Sequence, residues 1–271
     1  MRTFENRVAV ITGAGGGIGR ALSQALASRG AHLALADVSA EALARTAAVV
    51  RADGLRVSQH VVDVTNREQM AGLPAAVLDV HGGVNLLINN AGITLQKSFA
   101  THSLDDWERV LGINFRGVLH GCHYFLDSLR EADEAHIVNM SSMVACVGLP
   151  SQSSYCATKA AVKGLSESLW AELAVEGIGV TSVHPGAVRT DMIKATLAES
   201  DNVERARRNY ELTQKTAVSP EKVAAKILRA VEKRKLRVRI GADAVILDVA
   251  KRIFPVAIHR PMVRLVRMLG E

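Results

Sequence analysis

Short apolar runs alternate along this chain with longer stretches in which apolar residues recur every three or four positions. The runs predict strands at residues 8–11, 33–36, 57–62, 86–88, 137–140, 180–183 and 237–240. Most of them are continuously apolar, which is typical of parallel strands that are buried on both faces.

The longer stretches predict the helices between those strands. They follow the first strand and then lie at 41–52, 67–80 and 104–129, around Tyr155, and from about Pro220, whereas 186–215 is expected to be less regular. Repeated strand–helix units without an internal linker or repeat predict one α/β domain. Its core would be a doubly wound parallel sheet with helices on both faces.

Residues with the chemistry to bind a ligand follow six of the predicted strands. In strand order they are Gly13, Asp37, Asp63, Asn89, Ser142 and Pro185. Ligands of such sheets bind beyond the carboxyl ends of the strands. The sequence therefore predicts a single cleft at that edge.

A glycine-rich segment, residues 12–19, connects the first strand to the first helix. This arrangement places a pyrophosphate against a helix N-terminus, where unpaired N–H groups and the helix dipole favour negative charge. Gly13, Gly17, Ile18 and Gly19 are therefore candidate dinucleotide-binding residues. Glycines alone would be a weak sign, but the flanking strand and helix favour this interpretation.

Tyr155 and Lys159 are four positions apart at the start of a helical pattern, so they share one helix face. A free phenol ionises near pH ~10. A neighbouring ammonium is expected to lower the pKa of Tyr155 toward the range of acid–base catalysis. Ser142 follows a predicted strand end, where its hydroxyl can bind a substrate oxygen. By itself, a tyrosine and a lysine at this spacing are usually an ordinary surface pair. The glycine turn in the same chain is the context that favours a catalytic interpretation.

Together these motifs resemble the short-chain dehydrogenase/reductase family. The resemblance runs from residue 7 to about 190 and is carried by residues 12–19, Asp63-Val64, Asn89-Asn90-Ala91-Gly92, Asn114, Ser142, Tyr155-x-x-x-Lys159, Pro185-Gly186 and Thr190. It implies a seven-stranded, Rossmann-like fold. It also implies a nicotinamide-dependent oxidoreductase that interconverts a secondary alcohol and a ketone.

The resemblance further implies four catalytic residues. Tyr155 would exchange the substrate proton and Ser142, rather than Ser141, would orient the substrate oxygen. Lys159 would act on Tyr155 and hold the nicotinamide ribose. Asn114 would let its helix carry a water that connects Lys159 to solvent.

Further residues are implied at the cofactor. Asp63 and Val64 would flank the adenine, and Asn90, Ala91 and Gly92 would pass beneath the ribose and nicotinamide. The remaining positions are Pro185, Gly186, Val188 and Thr190, of which Val188 and Thr190 would hold the carboxamide.

Asp37 bears on the choice of cofactor because it follows the second strand, about 20 residues after the glycine turn. A carboxylate there can accept hydrogen bonds from a ribose hydroxyl and would repel a 2′-phosphate. No lysine or arginine lies between Gly13 and Gly19. We therefore expect NAD rather than NADP, although Asp37 could instead cap the turn before Ser39.

The predicted substrate-binding segments are rich in apolar residues. They include Ile93, Leu95, Met143, Val144, Val147, Leu149, Met192, Ile193 and Leu197. An apolar alcohol or ketone is therefore favoured as the substrate. Arg189 is near these segments and could bind an acidic group, so an acidic substrate is the alternative.

Basic residues are concentrated near the C-terminus. Residues 226–267 contain 12 lysines and arginines against 3 acidic residues in a chain of net charge +6. We divide the chain into a family domain at 1–241, with a substrate loop at about 186–215, and a basic amphipathic extension at 242–271. In that extension Arg260, Arg264 and Arg267 lie opposite Val263, Val266 and Leu269.

The extension could rest on an anionic membrane, cover the cleft or contact another subunit, and the sequence does not favour membrane contact over the other two together. The family commonly forms homodimers or homotetramers, and the same is expected here. A nucleic-acid partner is not expected, because no reading motif accompanies the basic residues.

Cys122, Cys146 and Cys156 are predicted to be free thiols in a reducing compartment. No secretory leader or apolar run of ~18 residues is evident, so a cytoplasmic protein is expected. His120 and His123 lack a third ligand, and no metal is expected.

A non-catalytic dinucleotide sensor would be expected to lose Ser142, Tyr155 or Lys159. Because all three are present, an enzyme is favoured.

Overall fold

Seven parallel strands form the central sheet of the computed structural model, which describes residues 1–50 and 54–263. The strands are β1 Val8–Thr12, β2 His32–Asp37, β3 Val57–Val61, β4 Leu86–Asn89, β5 His136–Met140, β6 Gly179–Pro185 and β7 Arg237–Ile240. Their order is β3-β2-β1-β4-β5-β6-β7. The strand order reverses between β1 and β4, which is the point where such sheets bind their ligands. The predicted fold class and strand number are confirmed.

Helices connect the strands and cover both faces of the sheet. They are α1 Gly17–Ala27, α2 Ala40–Val50, α3 Arg67–His81, α4 Leu104–Leu111, α5 Gly117–Tyr124, α6 Leu126–Arg130, α7 Ser153–Leu173, α8 Met192–Ala195, α9 Val203–Thr216, α10 Pro220–Glu232 and α11 Ala242–Ile253. None of the helices in the described ranges is long and apolar enough to cross a membrane.

Two apolar layers hold the helices on the sheet. Along β1, Ala9 and Ile11 belong to the layer that includes α1 and α10, whereas Val8 and Val10 belong to the layer that includes α3, α5 and α7. Because successive strand residues point to opposite faces, a continuously apolar strand supplies both layers. This explains why most of the strands are continuously apolar, whereas the edge strands β3 and β7 contain polar residues.

Two predicted segments differ from the structure. The helix expected over 104–129 is interrupted by one π-helical turn, Gly112–Arg116, which places Asn114 in the interior. The segment 186–215, expected to be less regular, includes all but the last residue of the 14-residue helix α9. Ala206 is its one buried residue, so α9 has too little apolar periodicity to be recognised.

Residues 242–263 pack onto the rest of the chain through two aspartates. Asp248 is buried and forms ion pairs with Arg237 at 2.6 Å and Arg239 at 2.8 Å, both on β7. Asp243 accepts a hydrogen bond from the Ala187 N–H at 2.8 Å, just beyond β6. Of the predicted amphipathic pattern, Arg264, Val266, Arg267 and Leu269 lie outside the described residues.

Candidate active site

The turn between β1 and α1 requires glycine at several positions. Gly13 has φ +63° and Gly17 has φ +52°, in the left-handed region that favours glycine. A Cβ on Gly13 would lie 2.8 Å from the Ala91 Cα, and one on Gly19 would lie 2.1 Å from the Gly13 carbonyl oxygen. The sequence thus folds into a turn that larger residues would disrupt.

Asn90 and Thr12 fasten this turn to the segment after β4. The Asn90 side-chain amide donates to the carbonyl oxygens of Thr12 at 3.1 Å and Gly13 at 3.0 Å. In return, the Thr12 hydroxyl accepts from the N–H groups of Asn90 at 3.0 Å and Ala91 at 3.2 Å. The glycine turn and the residues predicted to lie under the cofactor are therefore joined by four hydrogen bonds.

A cavity of about 430 Å³ opens at the N-terminus of α1. Ten residues predicted to bind the cofactor line it: Gly13, Gly17, Ile18, Asp37, Asp63, Val64, Asn90, Ala91, Gly92 and Thr190. Gly19 does not line it and instead packs against Gly13.

The chemistry of this cavity fits a dinucleotide. No side chain caps α1, so its first N–H groups are available to phosphate oxygens. A Cβ on Gly16 would meet nothing within 4 Å, so the turn faces open space there. The residues present could therefore hold a nicotinamide dinucleotide, with its pyrophosphate at the helix end.

Asp37 supports the glycine turn as well as lining the cavity. One carboxylate oxygen accepts from the Gly15 N–H at 2.9 Å, and the other accepts from the Ser39 N–H at 3.0 Å. The capping contact that the sequence left as an alternative is thus present. Both oxygens retain further lone pairs, so the contact is compatible with a ribose hydroxyl as well.

A second cavity, of about 190 Å³, contains the predicted catalytic side chains Ser142, Tyr155 and Lys159. Pro185, Gly186 and Val188 also line this cavity rather than the first one. The two cavities share lining residues: Ile18, Asn90, Thr190 and Met192. The site for a dinucleotide therefore adjoins the site of the phenol.

The Lys159 ammonium lies near Tyr155, 5.7 Å from the centre of its ring, and donates to the Met140 carbonyl oxygen at 2.8 Å. The expected lowering of the pKa of Tyr155 is not observed in this structure. Burial raises the pKa of Tyr155, while the hydrogen bond with Ser142 acts the other way. Burial also lowers the pKa of Lys159 to about 8, because desolvation disfavours the charged ammonium.

Ser141 and Ser142 have different partners although both line the second cavity. The Ser141 hydroxyl donates to the Lys159 carbonyl oxygen at 2.8 Å and so ties β5 to α7. The Ser142 hydroxyl accepts from the Val144 N–H at 3.4 Å and interacts with Tyr155. This geometry leaves Ser142 as the hydroxyl beside the phenol.

Asn114 lies behind the two cavities, in the π-helical turn. Its side-chain oxygen accepts from the Ile93 N–H at 2.8 Å, and its amide donates to the Ile93 carbonyl oxygen at 2.9 Å and to Thr158 at 3.3 Å. A Cβ on Gly92 would lie 3.1 Å from the Asn114 oxygen. Asn114 therefore positions the backbone beside Lys159, and the water relay stays a prediction.

The second cavity combines apolar and uncharged polar residues. Five predicted apolar residues line it: Met143, Val144, Leu149, Met192 and Ile193. Ile93 lines the first cavity, Arg189 lines a separate polar depression, and Leu95, Val147 and Leu197 are not among the described lining residues. Lys159 is the only charged side chain among the described residues that line it.

Sequence reasoning missed the uncharged polar part of that lining, Thr94, Gln96, Gln152 and Thr213. Thr94 and Gln96 alternate with apolar residues in the segment after Gly92, and this alternation was the available signal. Thr213 lies within the substrate loop expected at about 186–215, but it was not singled out because α9, which carries it, was not predicted.

Cysteine and metal chemistry is limited in the described residues. Cys122 and Cys156 are buried free thiols, and Cys146 is a half-buried one. Within 1–50 and 54–263, no group of three or more His, Cys, Asp or Glu side chains is arranged to hold a metal ion.

Comparison with known proteins identifies the family. The family model for short chain dehydrogenases matches residues 7–201. The chain belongs to the short-chain dehydrogenase/reductase family and is an oxidoreductase of that family.

Individual relatives agree with this assignment. The chain is 38% identical over 257 residues to "Putative oxidoreductase SadH" of Mycobacterium tuberculosis, covering 93% of this chain and 92% of that protein. A Burkholderia phymatum short chain dehydrogenase/reductase solved with NAD is 33% identical, with TM-score 0.85 and coverage of 93% and 95% of the two chains. A Burkholderia cenocepacia short chain dehydrogenase solved with NADP is 28% identical, with TM-score 0.79 and coverage of 96% and 98%. These neighbours support a nicotinamide cofactor without selecting between NAD and NADP.

Proposed function

We propose that this protein is an NAD(H)-dependent oxidoreductase that interconverts an apolar secondary alcohol and its ketone, with Tyr155 as general acid and base. One observation carries the proposal: Ser142, Tyr155 and Lys159 line one cavity, and that cavity adjoins the cavity at the glycine turn. A substrate oxygen at the phenol would thereby bring its carbon beside the cofactor.

The bound nicotinamide would accept or supply the hydride. During oxidation Tyr155 takes the proton of the substrate hydroxyl, and during reduction it returns that proton to the ketone oxygen. Ser142 holds the same oxygen by a hydrogen bond. Because burial raises the pKa of Tyr155, the phenol is protonated at neutral pH and ready to donate in the reductive direction. The Lys159 ammonium favours the phenolate that oxidation requires.

The choice of NAD is supported by Asp37. Its carboxylate lines the cofactor cavity, and a 2′-phosphate there would approach a negative charge. The neighbouring Val38 is 69% exposed and supplies no cation.

The choice of an apolar substrate is supported by the cavity lining. Met143, Val144, Leu149, Met192 and Ile193 line the same cavity as the phenol. Lys159 is the one cation among the described lining residues, and it acts on Tyr155. No second cation of that lining would bind a carboxylate or phosphate on the substrate. Thr94, Gln96, Gln152 and Thr213 could bind one further polar group of the substrate.

Self-association would suit the helices α4 to α7, as the sequence led us to expect. Trp170 on α7 and Leu119 on α5 are each 41% exposed. We propose a homodimer or homotetramer, which sedimentation velocity would test.

Replacement of Tyr155 tests the catalytic assignment. Tyr155→Phe should lower turnover about 10²- to 10⁴-fold, the usual contribution of a general acid or base, while NAD binding is retained. Tyr124→Phe is the matched control, because that phenol accepts from Arg67 at 3.0 Å outside both cavities. Wild-type turnover in Tyr155→Phe would refute the assignment. A substrate would first be identified by screening secondary alcohols and ketones for a change in NAD(P)H absorbance. If the protein binds the dinucleotide but turns over none of these compounds, a non-catalytic dinucleotide sensor would be favoured.

A further inference from the structure

The C-terminal part of the described chain carries a patch of exposed apolar side chains, which we call the α11 patch. With exposed fractions from 39% to 76%, its members are Val245, Ile246, Val249, Ile253, Phe254, Val256 and Val263. On α11, Ile246, Val249 and Ile253 are three and four positions apart and so share one helix face. Exposed apolar side chains that share a helix face in this way form a candidate interaction surface.

The exposed charged residues of the segment that carries the α11 patch, Arg252 and Arg260, are basic. Lys251, Arg252 and Arg260 lie in the same segment, 242–263, which contains two acidic residues. Asp248 is buried in ion pairs with Arg237 and Arg239 on β7 and also pairs with Arg252 at 3.3 Å, the side chain of which stays 67% exposed. Asp243 accepts from the Ala187 and Ala244 N–H groups. The segment therefore presents apolar and cationic groups outward and directs its carboxylates inward.

The α11 patch lies on an element that supports the wall of the substrate cavity. Asp248 on α11 lies 3.7 Å from the Cys146 thiol, directly after the turn whose residues Met143 and Val144 line that cavity. Asp243 holds Ala187, another lining residue. The element that carries the α11 patch is thus connected to the wall of the substrate cavity through Asp248 and Asp243.

We propose that the α11 patch docks on an anionic lipid surface. Apolar residues enter the interfacial region while neighbouring lysines and arginines contact the head groups, which is how amphipathic surface helices bind. A second copy of this chain suits the patch less well. In a two-fold contact each patch faces itself, so Lys251, Arg252 and Arg260 would face like charges without a free carboxylate from 242–263.

The proposal predicts selective binding to anionic vesicles. The full chain should sediment with phosphatidylcholine vesicles that contain phosphatidylglycerol at low salt, and less with phosphatidylcholine alone or at high salt. Ile253→Ser with Phe254→Ser, and separately Arg260→Glu, should each lower the partition coefficient roughly tenfold or more. Val175→Ser is the matched control, because Val175 is 90% exposed on another surface and should not affect binding.

Three results would overturn the proposal: no sedimentation with either vesicle, equal binding of the two vesicles, or unchanged partitioning of the patch variants. Conversion of an oligomer to monomers by Ile253→Ser with Phe254→Ser, without loss of lipid binding, would instead identify the patch as a subunit interface. Circular dichroism and turnover of a water-soluble ketone without lipid would show that each variant is folded. The proposal does not depend on the substrate class, so failure of the alcohol and ketone screen would leave it standing.

Discussion

The imidazole Nδ1 of His184 lies 3.0 Å from the carbonyl oxygen of Ser142. Because a carbonyl can only accept, Nδ1 carries the hydrogen and Nε2 accepts from the Ser182 hydroxyl, 2.9 Å away. Burial, with a smaller contribution from Arg237, lowers the pKa of His184 to about 4. At neutral pH a single tautomer therefore holds the backbone of the residue that we propose orients the substrate.

Replacing this imidazole should affect both stability and turnover. His184→Leu leaves the buried Ser142 carbonyl without its donor and should lower the free energy of unfolding by about 1–3 kcal/mol. Turnover should fall with it, because Ser142 loses a support. His184→Asn restores an amide donor and should recover much of both. Urea unfolding and steady-state kinetics measure these effects, and unchanged values in His184→Leu would contradict the positioning role.

Buried histidines should make the protein less stable in acid. Burial lowers the pKa of His136 to about 3 and that of His184 to about 4, below the value of about 6.5 expected in an unfolded chain. Between pH 6.5 and pH 4 the unfolded state therefore binds more protons than the folded state. The free energy of unfolding should fall as the pH is lowered through this range. Above pH 6.5 these two histidines should not change the free energy of unfolding with pH.

His136→Gln tests the origin of that acid sensitivity. The glutamine can keep a contact with the Thr181 hydroxyl, which lies 2.8 Å from His136 Nε2, but it does not titrate. Its unfolding free energy should depend less steeply on pH between 6.5 and 4. The control is His123→Gln at an exposed position, and equal slopes in the two variants would contradict the assignment.

Asp37 should control the preference for NAD. Asp37→Asn removes the charge but keeps an oxygen for one of the N–H groups of Gly15 and Ser39. We expect kcat/KM with NADP to rise roughly tenfold and kcat/KM with NAD to fall by a smaller factor, since repulsion of a 2′-phosphate is lost. Initial rates with both cofactors measure this, and comparable efficiency of the wild-type enzyme with NADP would already contradict the NAD proposal.

Asn114 should contribute to turnover beyond its effect on stability. Asn114→Ala removes both hydrogen bonds to the Ile93 backbone and should cost about 1–3 kcal/mol of unfolding free energy together with much of the turnover. Asn66→Ala is the control, because it removes the side-chain cap of α3 for about 1 kcal/mol away from both cavities. Equal turnover in the two variants would indicate that Asn114 is structural alone.

Local sequence was sufficient where a short pattern has one physical solution. The strand, the glycines at 13, 17 and 19 and the helix that follows predicted the turn, and the structure requires glycine there because of backbone conformation and close contacts. Patterns without such a local signal were missed. The polar helix α9 buries Ala206 alone, and the π-helical turn at Asn114 is stabilised by partners more than 20 residues away.

The sequence by itself determined the family through its motifs, and the family resemblance implied the seven-stranded sheet. The sequence also located many of the side chains at the carboxyl edge of that sheet, because continuous apolar strands and glycine turns depend on neighbouring residues. The tertiary structure alone decided how those side chains are solvated and paired. Burial opposes the expected effect of Lys159 on the pKa of Tyr155, and Ser141 is engaged with α7 while Ser142 lies beside the phenol. These properties depend on segments far apart in the chain, which the pattern along one segment does not encode.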